Sequence, residues 1–445
     1  MRLRWLACLV IGLSSGHAGA DDLISIYKDS LSQDPVFASA RASYEASKEK
    51  LPQGRALFLP NVNATANTNY NNIRLDYKTP TNFPQGTFDY GSYGAGLNIT
   101  QPLYRPQNGV VYDQAQIQVA QAESQLSLAG QDLMIRVSQA YFDVLLAEFN
   151  LLTVRAQKAA VGEQLAQAKR NFQVGTATIT DTYDAQARFD LVNAQEITAA
   201  NDIEVKRRAL QQIIGRLPGP LSKVRAQQLV LSAPEPNDME AWVQAGYGNS
   251  LQVAVAKANL ELAAKEVERN RYAHYPTIDA VASSNFNYQG SSTFGLAQNQ
   301  TTSIVGLQLN YPLYQGGALS SRVREAIANK TKAEGDFENA RRTVAQATRQ
   351  AFLAVNSGLA EIEALKQAVA SNQLSVDASK LGQEVGVRTQ VDVLNAQQLL
   401  YSAQRDLAQA YYNTIIAQLR LKAAVGRLLP TDLENINRLL VAAIN

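Results

Sequence analysis

The chain has 445 residues, with 41 lysines and arginines against 39 aspartates and glutamates, one cysteine and two histidines. So few thiol and imidazole groups exclude a disulfide framework and a metal site built from several histidines or cysteines. The nearly balanced charge gives no support to nucleic-acid binding.

Residues 1–20 have the features of a secretory signal peptide. The segment opens with two arginines, continues with an apolar stretch and ends on Ala18-Gly19-Ala20, a small-residue cleavage pattern. Its removal takes away both arginines, the cysteine and one histidine, which leaves 39 basic and 39 acidic residues and His274 as the only histidine. No later apolar run approaches the roughly 18–20 residues of a membrane-spanning helix. We therefore expect an exported protein that does not cross a bilayer as helices.

The rest of the chain is an internal tandem duplication. Matching segments recur at an offset close to 210–216 residues, among them Gln101-Pro102-Leu103-Tyr104 with Tyr311-Pro312-Leu313-Tyr314 and Ile214-Gly215-Arg216-Leu217 with Val425-Gly426-Arg427-Leu428. This pattern predicts a first repeat at 21–217, a proline-rich linker at 218–240, a second repeat at 241–428 and a C-terminal segment at 429–445.

Each repeat is predicted to contain, in chain order, a helix, two strands, a very long helix, a turn and a medium helix. Period-two alternation places strands of about 10 residues within Asn61–Asn72 and Tyr93–Ile99, and again from Ile278 to Tyr288 and from Val305 to Tyr311. Tilted strands of this length can cross a bilayer. Aromatic residues gather at the strand ends, where an aromatic girdle would sit: Phe58, Tyr104, Tyr275 and Tyr314. An ordinary soluble β-sandwich with a polar face is the alternative.

The long helices give the stronger signal. From about Gln107 to Phe172, and from about Ala318 to Leu381, there is no proline and glycine is scarce. Shorter helices are predicted at Pro35–Gln53 and Asp181–Ile214. Two heptad lines in the second long helix predict a coiled-coil seam: Phe337, Val344, Ala351, Gly358 and Leu365, with Ala333, Ala340, Ala347 and Ala354.

Four strands cannot close a barrel, and an open sheet edge has no hydrogen-bond partners in lipid. Several copies must therefore pool their strands. Barrels of eight strands are filled by side chains, whereas larger barrels leave a lumen. Because one face of the first strand is rich in asparagine, water is expected inside, which favours three copies and twelve strands.

With these features, the sequence resembles the TolC family of outer-membrane export ducts over nearly the whole mature chain. Three segments carry the resemblance: Val-Gly-Thr-Ala-Thr-Ile-Thr-Asp at 174–181, Asn-Tyr-Pro-Leu-Tyr-Gln-Gly-Gly at 310–317 and Val-Gly-Val-Arg-Thr-Gln-Val-Asp-Val-Leu-Asn-Ala-Gln at 385–397. The resemblance implies a mainly α fold with a membrane β-barrel. Three chains would form a 12-stranded barrel in the outer membrane of a Gram-negative bacterium and an α-barrel of long antiparallel coiled-coil helices through the periplasm.

The same resemblance implies the partners. They are two further copies of the chain, a periplasmic adaptor, an inner-membrane ABC or proton-driven transporter, and outer-membrane lipid. The linker at 218–240 and the segment after Leu428 would form a mixed girdle around the helical barrel. Efflux ducts that are lipoproteins have a cysteine at the mature N-terminus, whereas this chain starts near Asp21 without one. This favours type I secretion, with multidrug efflux as the alternative.

The turns between the helices are the candidate functional sites. The Val-Gly turns at Val174, Gly175, Val385 and Gly386 lie farthest from the strands and are predicted to dock the adaptor. The resemblance implies a periplasmic constriction formed by Asp392, Asn395, Arg388, Thr180, Asp181, Asp184 and Gln383. Asn395 replaces a second aspartate of the family and Gln383 replaces a tyrosine.

Simple helix capping is the alternative role of the aspartates, because aspartate near a helix start accepts backbone N–H bonds. If Asp392 instead lines the entrance, three copies would favour cations, and their crowding would raise the carboxyl pKa. We place Arg388 one turn before Asp392 on the same helix, where it could hold the entrance shut through ion pairs.

No residues are predicted to perform catalysis, and no cofactor or metal is expected. His274 is predicted to be an interfacial polar residue at the bilayer edge. Two other classes remain as alternatives. A trimeric surface adhesin usually has its barrel strands in one C-terminal block, whereas here both halves contain strands. An outer-membrane lipase would need a nucleophile arranged beside His274.

Overall fold

The computed structural model describes residues 21–79, 82, 85–224, 231–290 and 296–441, so the predicted signal peptide lies outside the described residues. The helices are α1 (Leu23–Gln33), α2 (Pro35–Lys48), α3 (Lys50–Ala56), α4 (Pro106–Gln173), α5 (Ile179–Ile214), α6 (Met239–Asn249), α7 (Leu251–Tyr272), α8 (Ala318–Glu384), α9 (Gln390–Ala424) and α10 (Pro430–Asn437). The strands are β1 (Asn61–Leu75), β2 (Gly86–Tyr104), β3 (Lys223–Val224), β4 (Thr277–Gln289), β5 (Gln298–Asn310) and β6 (Leu440–Val441).

The predicted order of helix, two strands, long helix and shorter helix is confirmed in both halves. The long helices α4 and α8 have 68 and 67 residues. The helix predicted at Pro35–Gln53 is divided between α2 and α3, because Pro52 has no N–H to donate to the carbonyl of Lys48. The main strands have 15, 19, 13 and 13 residues, longer than the expected 10 or so. In β2 the glycines have no side chains and so hide the alternation.

Two compact units divide the chain, and each contains segments of both sequence repeats. One unit consists of Ser39–Leu128 and Leu251–Val344. It holds an antiparallel four-stranded sheet in the order β1-β2-β4-β5. The strands β1 and β5 therefore form the two edges of the sheet within one chain.

The strand register assigns one polar and one apolar face to this sheet. Val62 lies opposite Ile99, Ile99 opposite Ala282, and Ala282 opposite Val305, so the apolar set crosses all four strands. Val305 is 87% exposed, far more than an ordinary core residue. The period-two pattern therefore predicted the face correctly, and none of the described residues of the chain covers Val305 on that face.

The other unit consists of Met1–Ala38, Ala129–Ser250 and Ala345–Asn445. Its core is formed by fully buried side chains of α1, α4 and α9, such as Ile26, Phe142 and Ile415. The short strands β3 and β6 pair antiparallel, which joins the linker to the C-terminal segment. The hydroxyl of buried Tyr141 donates to the carbonyl of Ser222 at 2.7 Å and anchors the approach to β3.

The predicted heptad seam of α8 is half right. Val344 and Gly358 of the first line are buried, but Ala347 and Ala354 of the second line are exposed. The buried partner line lies one residue later, at positions that include Val355. Alanine has a high helix propensity on any face, so its spacing alone does not identify the packed face.

Candidate functional site

Two helix hairpins carry the candidate site, and the parts that carry it, Ala129–Ser250 and Ala345–Asn445, belong to the second unit. The first hairpin is α4–α5 and the second is α8–α9; we call residues 174–178 and 385–389 their tips. Gly175 and Gly386 adopt left-handed backbone angles, with φ of 79° and 80°. The amide of the next residue bonds back to the helix end, from Thr176 to the Asn171 carbonyl and from Val387 to the Gly382 carbonyl, at 2.9 Å each. Each Val-Gly pair therefore ends a long helix in a Schellman turn, which glycine favours.

The following helices both begin with the same capping box. The Asp181 carboxylate accepts from the Thr178 backbone N–H at 2.9 Å and from its hydroxyl at 2.8 Å. The Asp392 carboxylate accepts from the backbone N–H and hydroxyl of Thr389 at the same distances. The Thr-x-x-Asp spacing was the available signal, although our sequence reasoning omitted both threonines. Capping is therefore a realised role of both aspartates.

These hydrogen bonds lower the pKa of both Asp181 and Asp392, because they stabilise the ionised carboxylate. Crowding of three Asp392 carboxylates in the trimer is expected to raise their pKa. Within one subunit the hydrogen bonds from Thr178 and Thr389 act in the opposite direction, and the positive charge of Arg388 adds a smaller lowering at Asp392.

The placement predicted for Arg388 is wrong. Arg388 lies in the second tip and not on the helix, because Thr389 is the N-cap and α9 begins at Gln390. No hydrogen bond or ion pair joins Arg388 to Asp392 within the described chain, and Arg388 is exposed beside Gly382. Among the described residues, three other predicted constriction residues also form no side-chain hydrogen bond or ion pair within one subunit: Thr180, Asp184 and Gln383.

Asn395 does have a partner, which the sequence reasoning missed. The Arg188 guanidinium on α5 donates to Asn395 Oδ1 at 2.7 Å and to Gln398 Oε1 at 3.4 Å. A second polar contact also joins the two hairpins, because the side-chain amide Nε2 of Gln390 on α9 donates to the backbone carbonyl of Gln164 on α4 at 2.7 Å. The structure therefore brings Asn395 together with the first hairpin through polar groups. In the part of the chain that the structure describes, neither Asp181 nor Asp392 forms an ion pair.

The tips also expose apolar side chains. Val174, Val385 and Val387 are 73%, 66% and 76% exposed. Exposed apolar residues gathered at one place are typical of interaction sites. Neither tip glycine has an atom near enough to contact an added Cβ, so the backbone conformation and not the available space requires glycine.

The predicted aromatic residues meet at one end of the sheet. Phe58 precedes β1, Tyr104 ends β2, Tyr275 precedes β4 and Tyr314 follows β5. Since neighbouring strands are antiparallel, these four positions lie at the same end of the sheet. All four side chains are exposed.

The described residues contain no group of three histidine, cysteine, aspartate or glutamate side chains placed to hold a metal ion. Within the same residues, no helix is both long and apolar enough to span a membrane. His274 lies in the turn between α7 and β4. The site therefore consists of capped helix starts, exposed valines and polar contacts between hairpins.

Duplicated long hairpins with matching tips, joined to an antiparallel sheet with an uncovered apolar face, define the channel class of outer-membrane export ducts. The sequence profile described as outer membrane efflux protein matches residues 26–216 and 242–427. The chain belongs to this family, which includes TolC.

Individual relatives match over nearly their whole length. Outer membrane protein TolC of Vibrio cholerae serotype O1 is 33% identical over 431 residues, which are 96% of this chain and 95% of that protein. The proteases secretion protein PrtF of Dickeya chrysanthemi is 31% identical over 437 residues, 97% and 94% of the two chains. The CmeC outer membrane channel of Campylobacter jejuni shares the fold with a TM-score of 0.78 at 17% identity, over 94% and 89%.

The protein is therefore an outer-membrane duct of the type that serves type I secretion and efflux, and it extends into the periplasm. The predicted fold class is confirmed: mainly helical, with a four-stranded antiparallel contribution to a trimeric channel and an internal duplication. Channels of this family are trimeric, work in tripartite export systems and are not enzymes.

Proposed function

We propose that three copies of this chain form the outer-membrane duct of a type I secretion system and pass a protein substrate from an inner-membrane ABC transporter. The likeness to a protease secretion protein over 97% of this chain is the observation that carries the proposal. The name of that relative refers to the secretion of proteases, so the proposed cargo is a protein.

Sheet geometry supports the trimer. The edge strands β1 and β5 have no partner on their outer sides within the described chain, and the apolar face is uncovered. Pairing β5 of one copy with β1 of the next satisfies both edges, which lipid requires. The polar face then lines the lumen, where Asn67 and Asn287 lie over the backbone of Gly94. The exposed aromatic residues Phe58, Tyr104, Tyr275 and Tyr314 would form the lipid-facing girdle.

In the proposed duct, each predicted segment of the chain has a separate structural role. The repeats at 21–217 and 241–428 supply the sheet and hairpins of each subunit. The linker at 218–240 and the C-terminal segment at 429–445 form an equatorial girdle, which the pairing of β3 with β6 supports.

The two tips are the proposed docking site for a periplasmic adaptor. Their exposed valines offer apolar contact area, and the left-handed glycines fix the shape of that surface. Replacing Gly386 with valine should abolish export while trimers still reach the outer membrane. Gly386→Asn is the matched control, since asparagine tolerates the left-handed conformation. Persisting export with intact adaptor crosslinking in Gly386→Val would place docking elsewhere.

The proposed gate is a ring of Asp392 from three subunits, with Asn395, Arg388, Thr180, Asp181, Asp184 and Gln383 around it. Replacing Asp392 with alanine should weaken cation selectivity and blockade by multivalent cations in planar bilayers. Replacing Arg388 and Thr180 should raise conductance if they hold neighbouring hairpins together between copies. If Asp184→Ala removes selectivity and Asp392→Ala does not, the ring belongs to the first hairpin.

The cargo is tested by complementation. The gene is expressed in a strain that lacks its own duct but retains a type I transporter, its adaptor and a secreted protease. Secreted protease activity is measured beside resistance to efflux substrates. Restored secretion supports the proposal. Restored drug resistance without secretion favours the multidrug efflux duct, and a monomer or dimer by native mass measurement in detergent contradicts the trimer.

A further inference from the structure

We propose that Arg188 sets the ionic selectivity of the periplasmic constriction by placing an uncompensated positive charge beside the Asp392 ring. This inference rests on the proposed gate and adds to it a residue that neither the sequence motifs nor the family comparison assigns.

Helical spacing brings Arg188 to the same face as the gate residues of the first hairpin. Arg188 follows Asp181 by seven residues and Asp184 by four, and all three lie on α5. Residues at these spacings share one helix face. Across the hairpins, Arg188 Nη2 reaches Asn395 Oδ1 at 2.7 Å, and Asn395 lies three residues after Asp392 on α9.

The acceptors leave the charge of Arg188 intact. Asn395 and Gln398 are neutral amides, and no carboxylate oxygen lies within 4.0 Å of the guanidinium in the described chain. An arginine stays protonated throughout the accessible pH range. Two other arginines of this hairpin, which form ion pairs between α4 and α5, differ from Arg188. Arg155 pairs with Glu196 at 3.0 Å, and Arg207 pairs with Glu148 at 2.8 Å.

Asn395 is the residue that makes this arrangement possible. An aspartate at position 395 would form an ion pair with Arg188 and cancel its charge. With asparagine, the guanidinium is held in place by a hydrogen bond while its field remains. Three copies of Arg188 would then offset three copies of Asp392, so the duct should be less cation-selective than the acidic ring alone predicts.

The test measures reversal potentials of the purified trimer in planar bilayers under a potassium chloride gradient. Arg188→Gln should raise the potassium-to-chloride permeability ratio about threefold or more. Arg188→Lys retains the charge and should leave the ratio close to that of the unmodified protein. Arg208→Gln is the matched control on the same helix. Arg208 lies more than five turns after Arg188, and its charge is paired with Glu204, one turn before it on α5.

A second variant approaches the same charge from the other side of the contact. Asn395→Asp should also raise the ratio, because the new carboxylate neutralises Arg188. An unchanged ratio in both Arg188→Gln and Asn395→Asp overturns the inference, as does an equal shift in Arg208→Gln.

The proposed gate itself is tested separately by Asp392→Ala. If that variant lowers cation selectivity while Arg188→Gln has no effect, the gate stands and Arg188 plays no part in it. If Asp392→Ala has no effect, the location of the ring is wrong.

Discussion

The two hairpins have the same tips, and both pack apolar side chains between their helices, but among the described residues only the first also has ion pairs between its two helices. At the tips, the glycine φ angles differ by 1° and the capping distances agree. In the first hairpin, ion pairs cross between the helices: Arg155 and Lys158 with Glu196, Lys206 with Asp143, and Arg207 with Glu148. The acidic members are divided between the two helices, with Asp143 and Glu148 on α4 and Glu196 on α5.

The second hairpin is held by close packing. Gly358 of α8 lies against the Thr414 side chain of α9, and Val376 packs on Ala396 and Leu400. No ion pair is seen between α8 and α9 among the described residues. A cation–π contact between the two helices places the Lys366 ammonium 6.0 Å from the Tyr411 ring centre. The duplicated halves therefore share the chemistry of their helix ends and differ in the polar contacts between their helices.

The largest effect is expected at the close crossing of the second hairpin. Gly358→Ala would drive its Cβ into the buried Thr414 hydroxyl, and overpacking of this kind costs about 1–3 kcal/mol of unfolding free energy. Thermal unfolding followed by circular dichroism should show a lowered Tm, largely restored by adding Thr414→Ala. Gly335→Ala in the same helix meets open space and is the control. Equal Tm values for the two glycine variants would show that α8 and α9 are not tightly packed.

The capping boxes should respond equally in both hairpins. Thr178→Ala and Thr389→Ala each remove an N-cap, at a cost of about 1 kcal/mol. Amide hydrogen exchange should accelerate in the first turns of α5 and α9 by similar factors. Thr180→Ala, an exposed threonine outside the box, should leave exchange unchanged. A large difference between the two tips would break the equivalence described above.

Acid should weaken both caps together. The pKa values of Asp181 and Asp392 are lowered from the ordinary 3.8, so each carboxylate stabilises the folded state above that pH and loses its contribution as the pH falls through the lowered value. A double Asp181→Asn and Asp392→Asn variant should therefore lose less stability on acidification than the unmodified protein. The measurement is Tm as a function of pH below neutrality. Parallel curves would contradict the assignment.

The smallest expected effect is a difference between the two hairpins in how their amide hydrogen exchange responds to salt. The pairs that cross between α4 and α5 are partly exposed, and exposed ion pairs contribute little and are screened. Raising the salt concentration should slightly accelerate amide exchange in the middle of the first hairpin and leave the second unchanged. Glu196→Gln removes two pairs at once and should abolish the salt response near them. An equal response of both hairpins would show that the ion pairs do not distinguish them.

Several features of the molecule could be predicted from the sequence because they depend on local periodicity. The absence of proline located α4 within one or two residues of its ends, and period-two alternation identified the apolar sheet face. The Thr-x-x-Asp spacing contains the capping boxes in full, although we recognised only the aspartates. Helix and strand periods and caps are decided by neighbouring residues, so a single sequence is enough to predict them.

Only the tertiary structure decided which faces meet. It showed that Val355 and not Ala354 packs in the seam of α8, since alanine spacing is equally compatible with an exposed face. It placed Arg388 in the tip, because one threonine determines where the helix begins. It also joined Arg188 to Asn395 across 207 positions of sequence, a pairing set by how two hairpins pack and by no local pattern. Contacts between distant segments depend on register and packing, which the periodicity of either segment alone does not contain.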